Sequence, residues 1–261
     1  MASGKHFELI KELSGFTCSA YAKLIKHLRQ RLKVLTFSEL SSEDESFLVI
    51  RHDIDASVRD ALKMARLEQG LGIRSTYFVL FSNRFYNVLE RENLSMLRQI
   101  SEQGHEIGLH YDLETYERYS RNLNDILDTE VDLLSSLLDR RVVSIARHNP
   151  SLTSLEDPFA NTTRYVNAYD RRRCELYVSD SCRAWQVQDL SYMLSFDCKR
   201  VQLLIHPFLW REDVCDRYTL LERFFEESEN DNRNYKSKWQ EIWRKNPKVA
   251  EFDNVTVMLR S

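Results

Sequence analysis

Two acidic residues two positions apart, Asp53 and Asp55, sit in the segment Arg51-His52-Asp53-Ile54-Asp55, directly after the apolar run Phe47-Leu48-Val49-Ile50. In an extended strand, residues i and i+2 point the same way, so both carboxylates can face one cavity. Like charges that close resist joint ionisation unless a cation neutralises them, which is the physical reason to expect a divalent metal there. A structural alternative stands beside it, in which the pair caps the following helix and is neutralised by Arg51.

Three further segments end in groups that can hold a metal or move a proton. Gly104-His105-Glu106-Ile107-Gly108-Leu109-His110-Tyr111-Asp112 places His110 at the carboxyl end of a predicted strand and His105 at its opposite end. Asp112 and Glu114 follow His110 closely enough to supply oxygen ligands. Ile145-Ala146-Arg147-His148-Asn149-Pro150 ends another strand, where Arg147 pairs with a carboxylate of the site or forms a buried structural ion pair. Leu203-Leu204-Ile205-His206-Pro207 ends a fourth, and His206 is the natural proton donor if its ring faces the ion; otherwise it fixes the turn at Pro207. Asp180, Arg183 and Trp185 lie within six residues, a set that can hydrogen-bond and stack against a sugar ring or pack as a loop with an internal ion pair.

The elements that must position these groups alternate regularly. Tyr21, Leu24, Ile25, Leu28 and Leu32 recur at three- and four-residue intervals, one face of a helix in an N-terminal stretch that reads as helical. The run 47–50 is apolar on both faces, as in a strand covered on both sides. Ser57 is placed to cap a helix that stops near Gly70 and Gly72. The segments 73–81, 105–110 and 142–146 read as strands. A helix capped by Asn93 and a long periodic helix over 116–138 separate them. Strands are also expected at 165–168, 176–179, 201–205 and 255–259, and helices at 220–225 and 235–243. Trp239 and Trp243, four apart, are expected to anchor the last helix to the core. The acidic run 226–231 and the lysines and arginines beyond it read as a solvated charged surface. Alternating strands and helices imply a parallel sheet or barrel with outer helices, whose strand carboxyl ends meet at one edge.

Composition narrows the function classes. A 261-residue chain with 43% hydrophobic and 30% charged residues reads as a folded globule of one domain. A net charge of −3 provides no basic field, so nucleic acid is not an expected partner. The five cysteines are too far apart for a metal knuckle and odd in number for a complete disulfide set, which suggests free thiols in a reducing compartment. No apolar run is long enough for a membrane span or a signal peptide, so a cytoplasmic location is expected. Nucleotide-binding glycine motifs and a serine-esterase elbow are missing.

Arg-His-Asp-Ile-Asp followed by Gly-His-Glu-Ile-Gly-Leu-His-Tyr-Asp resembles the polysaccharide deacetylase superfamily, the NodB-homology domain, and more narrowly its members associated with surface-polysaccharide genes. The resemblance spans roughly residues 47–210. It implies an α/β fold, a distorted incomplete (β/α) barrel of parallel strands and outer helices, with residues 1–46 as a helical extension packed on a catalytic domain at 47–261. It implies a metal-dependent hydrolase that deacetylates an N-acetylated or O-acetylated sugar or glycan precursor. Carried over residue by residue, Asp53 is the catalytic base, and Asp55 and His110 are metal ligands. Glu114 stands where the family has a second histidine. Arg147 orients Asp53, and His206 is the general acid. Asp112, His148, Asp180, Arg183 and Trp185 are assigned to the substrate groove. The implied cofactor is a divalent ion, zinc by its ligand chemistry. The rival readings are a non-catalytic glycan-binding protein on the same fold and a hydrolase of small non-sugar amides.

Overall fold

The structure, a computed structural model, describes residues 4–119, 122–150, 156–170, 173–195 and 197–245. The chain divides into two compact units, Met1–Val214 and Cys215–Ser261. The first contains α1 (Gly4–Leu13), α2 (Cys18–Leu28), β1 (Lys33–Leu35), β2 (Phe47–Ile54), α3 (Val58–Gly70), β3 (Thr76–Val79), α4 (Arg91–Glu102), β4 (Glu106–Tyr111), α5 (Leu113–Tyr116), α6 (Leu123–Leu138), β5 (Ser144–Arg147), β6 (Val166–Asn167), β7 (Leu176–Ser179), α7 (Val187–Met193) and β8 (Arg200–Ile205). The second contains one described helix, α8 (Arg217–Lys245). No helix among the described residues is long and apolar enough to cross a membrane. All five cysteines are free thiols.

Seven strands form one sheet in the order β6-β5-β4-β3-β2-β8-β7, with β1 paired to β2 outside that path. Every pairing is parallel. The sheet curls, because Val49 of β2 and Ala146 of β5, three strands apart, share one interior cluster with Phe47, Phe78 and Ala168. This is the incomplete (β/α) barrel that the family resemblance implies. Its outer surface carries the larger core, in which Tyr77, Val79, Leu109, Tyr111 and Ile145 of the sheet pack on α3, α4 and α6 through Ala61, Ala65, Leu97, Ile100, Leu127 and Leu134.

The two-residue period along each strand separates these cores. In β2, Phe47, Val49, Arg51 and Asp53 face the interior, whereas Ile54 packs in the outer core. Gly108 of β4 faces inward opposite Phe78, and a Cβ there would lie 2.5 Å from the Phe78 ring and 2.9 Å from the Ser144 carbonyl oxygen. Glycine is needed at this point because the curl brings a ring and a neighbouring backbone into the space of a side chain.

Several element boundaries differ from expectation. Ser57 caps α3 as expected, accepting from the Asp60 amide at 3.1 Å. The next helix starts earlier than expected, because the Glu90 carboxylate accepts from the amides of Glu92 and Asn93 and takes the cap from Asn93. The periodic stretch 116–138 is divided between α5, capped by Asp112, and α6, capped by Asn122. The helices expected at 220–225 and 235–243 are one continuous α8. Within α8, Trp239 and Trp243 are exposed rather than anchored in a core. The strand expected at 255–259 lies outside the described residues. The strand β1 and the helix α7 were not anticipated; each is short and lacks a long apolar period.

The N-terminal helices are tied to the barrel by polar as well as apolar contacts. Arg31 donates to the backbone carbonyls of Cys198 and Met193. Phe16, Cys18 and Arg211 exchange backbone hydrogen bonds at 3.0 and 2.8 Å. Tyr21 of α2 donates to Glu68 of α3, a buried carboxylate that also accepts from His52, Ser75 and Tyr77.

Candidate active site

The carboxyl ends of β2, β4, β5, β7 and β8 supply Asp53 and Asp55, His110, His148, Asp180 and His206 respectively. Asp53 ends the inward row of β2, and its carboxylate is gripped by both arms of the Arg51 side chain, Nε to Oδ1 and Nη2 to Oδ2, each at 2.7 Å. Arg51 is fully buried beneath it. The guanidinium lies over the Tyr169 ring at 4.5 Å and donates to the Arg147 carbonyl oxygen at 3.4 Å. A bidentate pair removed from water is strong and geometrically fixed, so Asp53 is held as an oriented carboxylate.

His110 lies beside both acids. Its Nδ1 donates to the Ala146 carbonyl at 2.9 Å, which leaves Nε2 as the group 3.3 Å from Asp53 Oδ2 and 3.4 Å from Asp55 Oδ1. His148 follows β5 at a turn where Asn149 adopts a φ of 43°, a left-handed conformation that asparagine tolerates. The His148 ring stands edge-on to His110, with centroids 5.2 Å apart. Burial and the charge of His110 push the His148 imidazole below its ordinary value, which favours the neutral, ligating form.

Asp55, His110 and His148 each present a ligand atom, and these atoms lie within 4.8 Å of one another. Ligands about 2.1 Å from one zinc ion stand roughly 3.4 Å apart in tetrahedral geometry. The His110 to Asp55 separation already has that value. Asp55 Oδ1 is buried and accepts no hydrogen bond, an orphaned lone pair in the position that a cation would fill. Burial raises the Asp55 carboxyl, but the imidazoles of His110, His206 and His148 outweigh it and hold the group below the usual carboxylate range. The residues present therefore fit a divalent ion.

His206 opposes this cluster, with Nε2 3.5 Å from Asp55 Oδ2. Its Nδ1 donates to Asp180 Oδ1 at 2.6 Å, and its backbone amide donates to the same carboxylate at 3.0 to 3.1 Å. The Trp210 indole donates to Asp180 Oδ2 at 2.8 Å. Desolvation alone would lower the His206 pKa, but Asp180, with help from Asp55 and Asp53, raises it to about 9.

The arrangement departs from the sequence reading at particular residues. His148, assigned to the substrate groove, has its ligand atom within 4.8 Å of those of Asp55 and His110, whereas Glu114, expected as the third ligand, is exposed on the first turn of α5. Asp112 turns to its own helix, accepting from the Glu114 amide at 3.1 Å and the Thr115 hydroxyl at 2.7 Å. Arg147 lies on the Tyr111 side of β5, opposite the inward face of His110 and Ala146, and Arg51 holds Asp53 instead. Asp180 serves His206. Arg183 and Trp185 pack on Phe16, the guanidinium at 5.2 Å and the indole ring stacked at 5.6 Å. The Trp185 indole N–H is taken by the Leu13 carbonyl at 3.2 Å. Trp210 and Tyr169 went unassigned at the sequence level. For Trp210 the available signal was an indole four residues after His206, whose N–H needs an acceptor if it is buried.

No family model matches the chain, and no curated protein matches it by sequence. Its structural neighbours are carbohydrate deacetylases and relatives. A CE4 family pseudoenzyme from Bacillus anthracis is 14% identical over 74% of this chain and 66% of its own, with a TM-score of 0.44. The peptidoglycan deacetylase PdaC from Bacillus subtilis is 14% identical over 78% of this chain and 99% of its own, with a TM-score of 0.44. The chitin deacetylase from the fungal pathogen Colletotrichum lindemuthianum is 14% identical over 75% of this chain and 86% of its own, with a TM-score of 0.42.

Proposed function

We propose that this chain is a metal-dependent hydrolase that removes an acetyl group from an N-acetylated or O-acetylated sugar or glycan precursor. The observation that carries the reading is the meeting of an Asp/His/His ligand cluster with a clamped carboxylate on one side and an acid-anchored histidine on the other. Asp55, His110 and His148 would hold the ion, and this donor set suits zinc. When bound, the ion supplies Lewis acidity and lowers the pKa of water.

Asp53, fixed by Arg51, accepts a proton as a water oxygen bonds to the acyl carbon. His206 is kept protonated by Asp180, so it delivers its Nε2 proton to the leaving nitrogen or oxygen as the C–N or C–O bond breaks. The products are acetic acid and a free amine or alcohol. Arg51 and Asp180 each fix a partner's orientation, so neither reacting group has to be ordered at the moment of reaction.

The test is metal content together with acetate release. Protein stripped with a chelator and reloaded with zinc is expected to hold one ion per chain and to release acetate from members of a panel of acetylated mono- and oligosaccharides. Asp55→Ala should lose both metal and turnover, whereas His206→Gln should keep the metal and lose turnover. Full occupancy in the Asp55→Ala protein would overturn the ligand assignment. Saccharide binding without acetate release by the loaded protein would favour a glycan-binding role. Turnover confined to small non-sugar amides would remove the sugar.

A further inference from the structure

The longest helix among the described residues carries an apolar seam that the proposed chemistry does not use. Between Arg217 and Lys245 only Leu220 and Phe224 are buried. The large apolar residues Tyr218, Leu221, Phe225, Tyr235, Trp239 and Ile242 are each between 44% and 73% exposed. Together with Ser228 and Asn232 they occupy positions 218, 221, 225, 228, 232, 235, 239 and 242, a strict alternation of three- and four-residue steps. That is a period of 3.5, the heptad repeat by which one helix meets another in a left-handed supercoil. A helix face with that repeat suits a partner helix.

Charge along the same helix selects the occupant. Five carboxylates lie between Glu222 and Asp231 with Arg223 alone against them, and five cations lie between Arg233 and Lys245 with Glu241 alone against them. A second copy running parallel would set acid on acid and base on base. An antiparallel copy sets each acidic half on a basic half. In that direction the seam closes into layers of Tyr218 on Ile242, Leu221 on Trp239 and Phe225 on Tyr235. The two polar positions, Ser228 and Asn232, meet in the middle. A slip by one heptad would bury Ser228 or Asn232 against an aromatic ring, so the polar layer fixes the register.

We infer that α8 is a homotypic interface through which two copies of the chain pair as an antiparallel coiled coil. It rests on none of the residues of the proposed active site. The 261-residue chain in low salt should sediment at twice its 31.0 kDa monomer mass and dissociate on dilution. Leu221→Glu with Trp239→Glu should give a monomer with unchanged helix content by circular dichroism, because both side chains are exposed and their removal leaves no core defect. Reversing the two acids that flank the seam, Glu222→Lys and Glu229→Lys, should weaken pairing by tenfold or more, about 1.4 kcal/mol. Adding Lys236→Glu, which flanks them from the other copy, should restore it. A wild-type chain that stays monomeric across the concentration range overturns the proposal. A dimer indifferent to the half-reversal overturns the antiparallel direction.

Discussion

Asp53 lies beside His110 and His206 beside Asp55, and each depends on a buried partner of opposite charge. Arg51 is fully buried under Asp53, where an ion pair persists only with close, well-formed hydrogen bonds, and both of its contacts are 2.7 Å. Asp180 is equally buried, and its two oxygens serve His206 Nδ1, the His206 amide and the Trp210 indole. Replacing Asp180 with Asn keeps the shape and removes the charge. The His206 pKa, about 9 in the intact protein, should then fall towards the 6.5 of an ordinary histidine. An NMR titration of the imidazole in chelator-treated protein measures this directly, and an unmoved midpoint would mean that Asp180 does not set the protonation. In turnover the same variant should lose its activity at lower pH than the wild type, because a general acid must carry its proton.

Elements, rather than single residues, decide how far apart these groups stand. Each inward residue of β2, β3 and β4 lies in register with an inward neighbour, Asp53 beside Phe78 and Phe78 beside Gly108, so the curl of the sheet sets how closely these side chains approach. Gly108→Ala would drive a methyl group into the Phe78 ring and the Ser144 carbonyl, and the backbone contact cannot rotate away. Its expected cost is about 1–3 kcal/mol, the usual range for overpacking a filled interior, read as a lower urea midpoint at unchanged m-value. A variant as stable as the wild type would show that β4 and β5 can separate. Strand positions and the Ser57 cap were legible from sequence because both are set within a few residues. The Glu90 cap and the break between α5 and α6 were not, since neighbouring side chains compete for the same amides and only the folded path picks the winner.

At the scale of the whole molecule, a buried polar cluster on the outer side of β2 joins the N-terminal helices to the sheet. Glu68 accepts from Tyr21, His52, Ser75 and Tyr77. Burial alone would raise its carboxyl, but His52, His105 and Ser75 pull it down to about 2 from an ordinary 4.5. A carboxyl depressed by folding stabilises the fold fully above its unfolded pKa and loses that contribution as pH falls through the folded value. The contribution should therefore be complete above pH 4.5 and disappear towards pH 2. Urea titrations of the wild type and Glu68→Gln should converge in stability as the pH is lowered across that window. A constant difference between them would place the effect in packing instead of charge. His105, expected at the far end of its strand from the ion, belongs to this cluster: its Nε2 donates to the Ala65 carbonyl and its Nδ1 accepts from the Ser75 amide.

By itself the sequence determined that Asp53, Asp55, His110, His148 and His206 stand at strand ends on one edge, because the two-residue period of a strand and the parallel order of the elements are written locally. It determined equally that His105 stands at the other edge. Only the tertiary structure decided which of these groups meet. Curling of the sheet brings β5 towards β2 across two intervening strands, so His148 and not Glu114 joins Asp55 and His110, while Glu114 leaves on the turn of α5. Arg51 and not Arg147 holds Asp53, because alternation turns Arg147 to the outer face while Arg51 lies two residues below Asp53 on the inner one. Such partners are distant in the chain or differ by one step of a two-residue period, and the folded path alone distinguishes them.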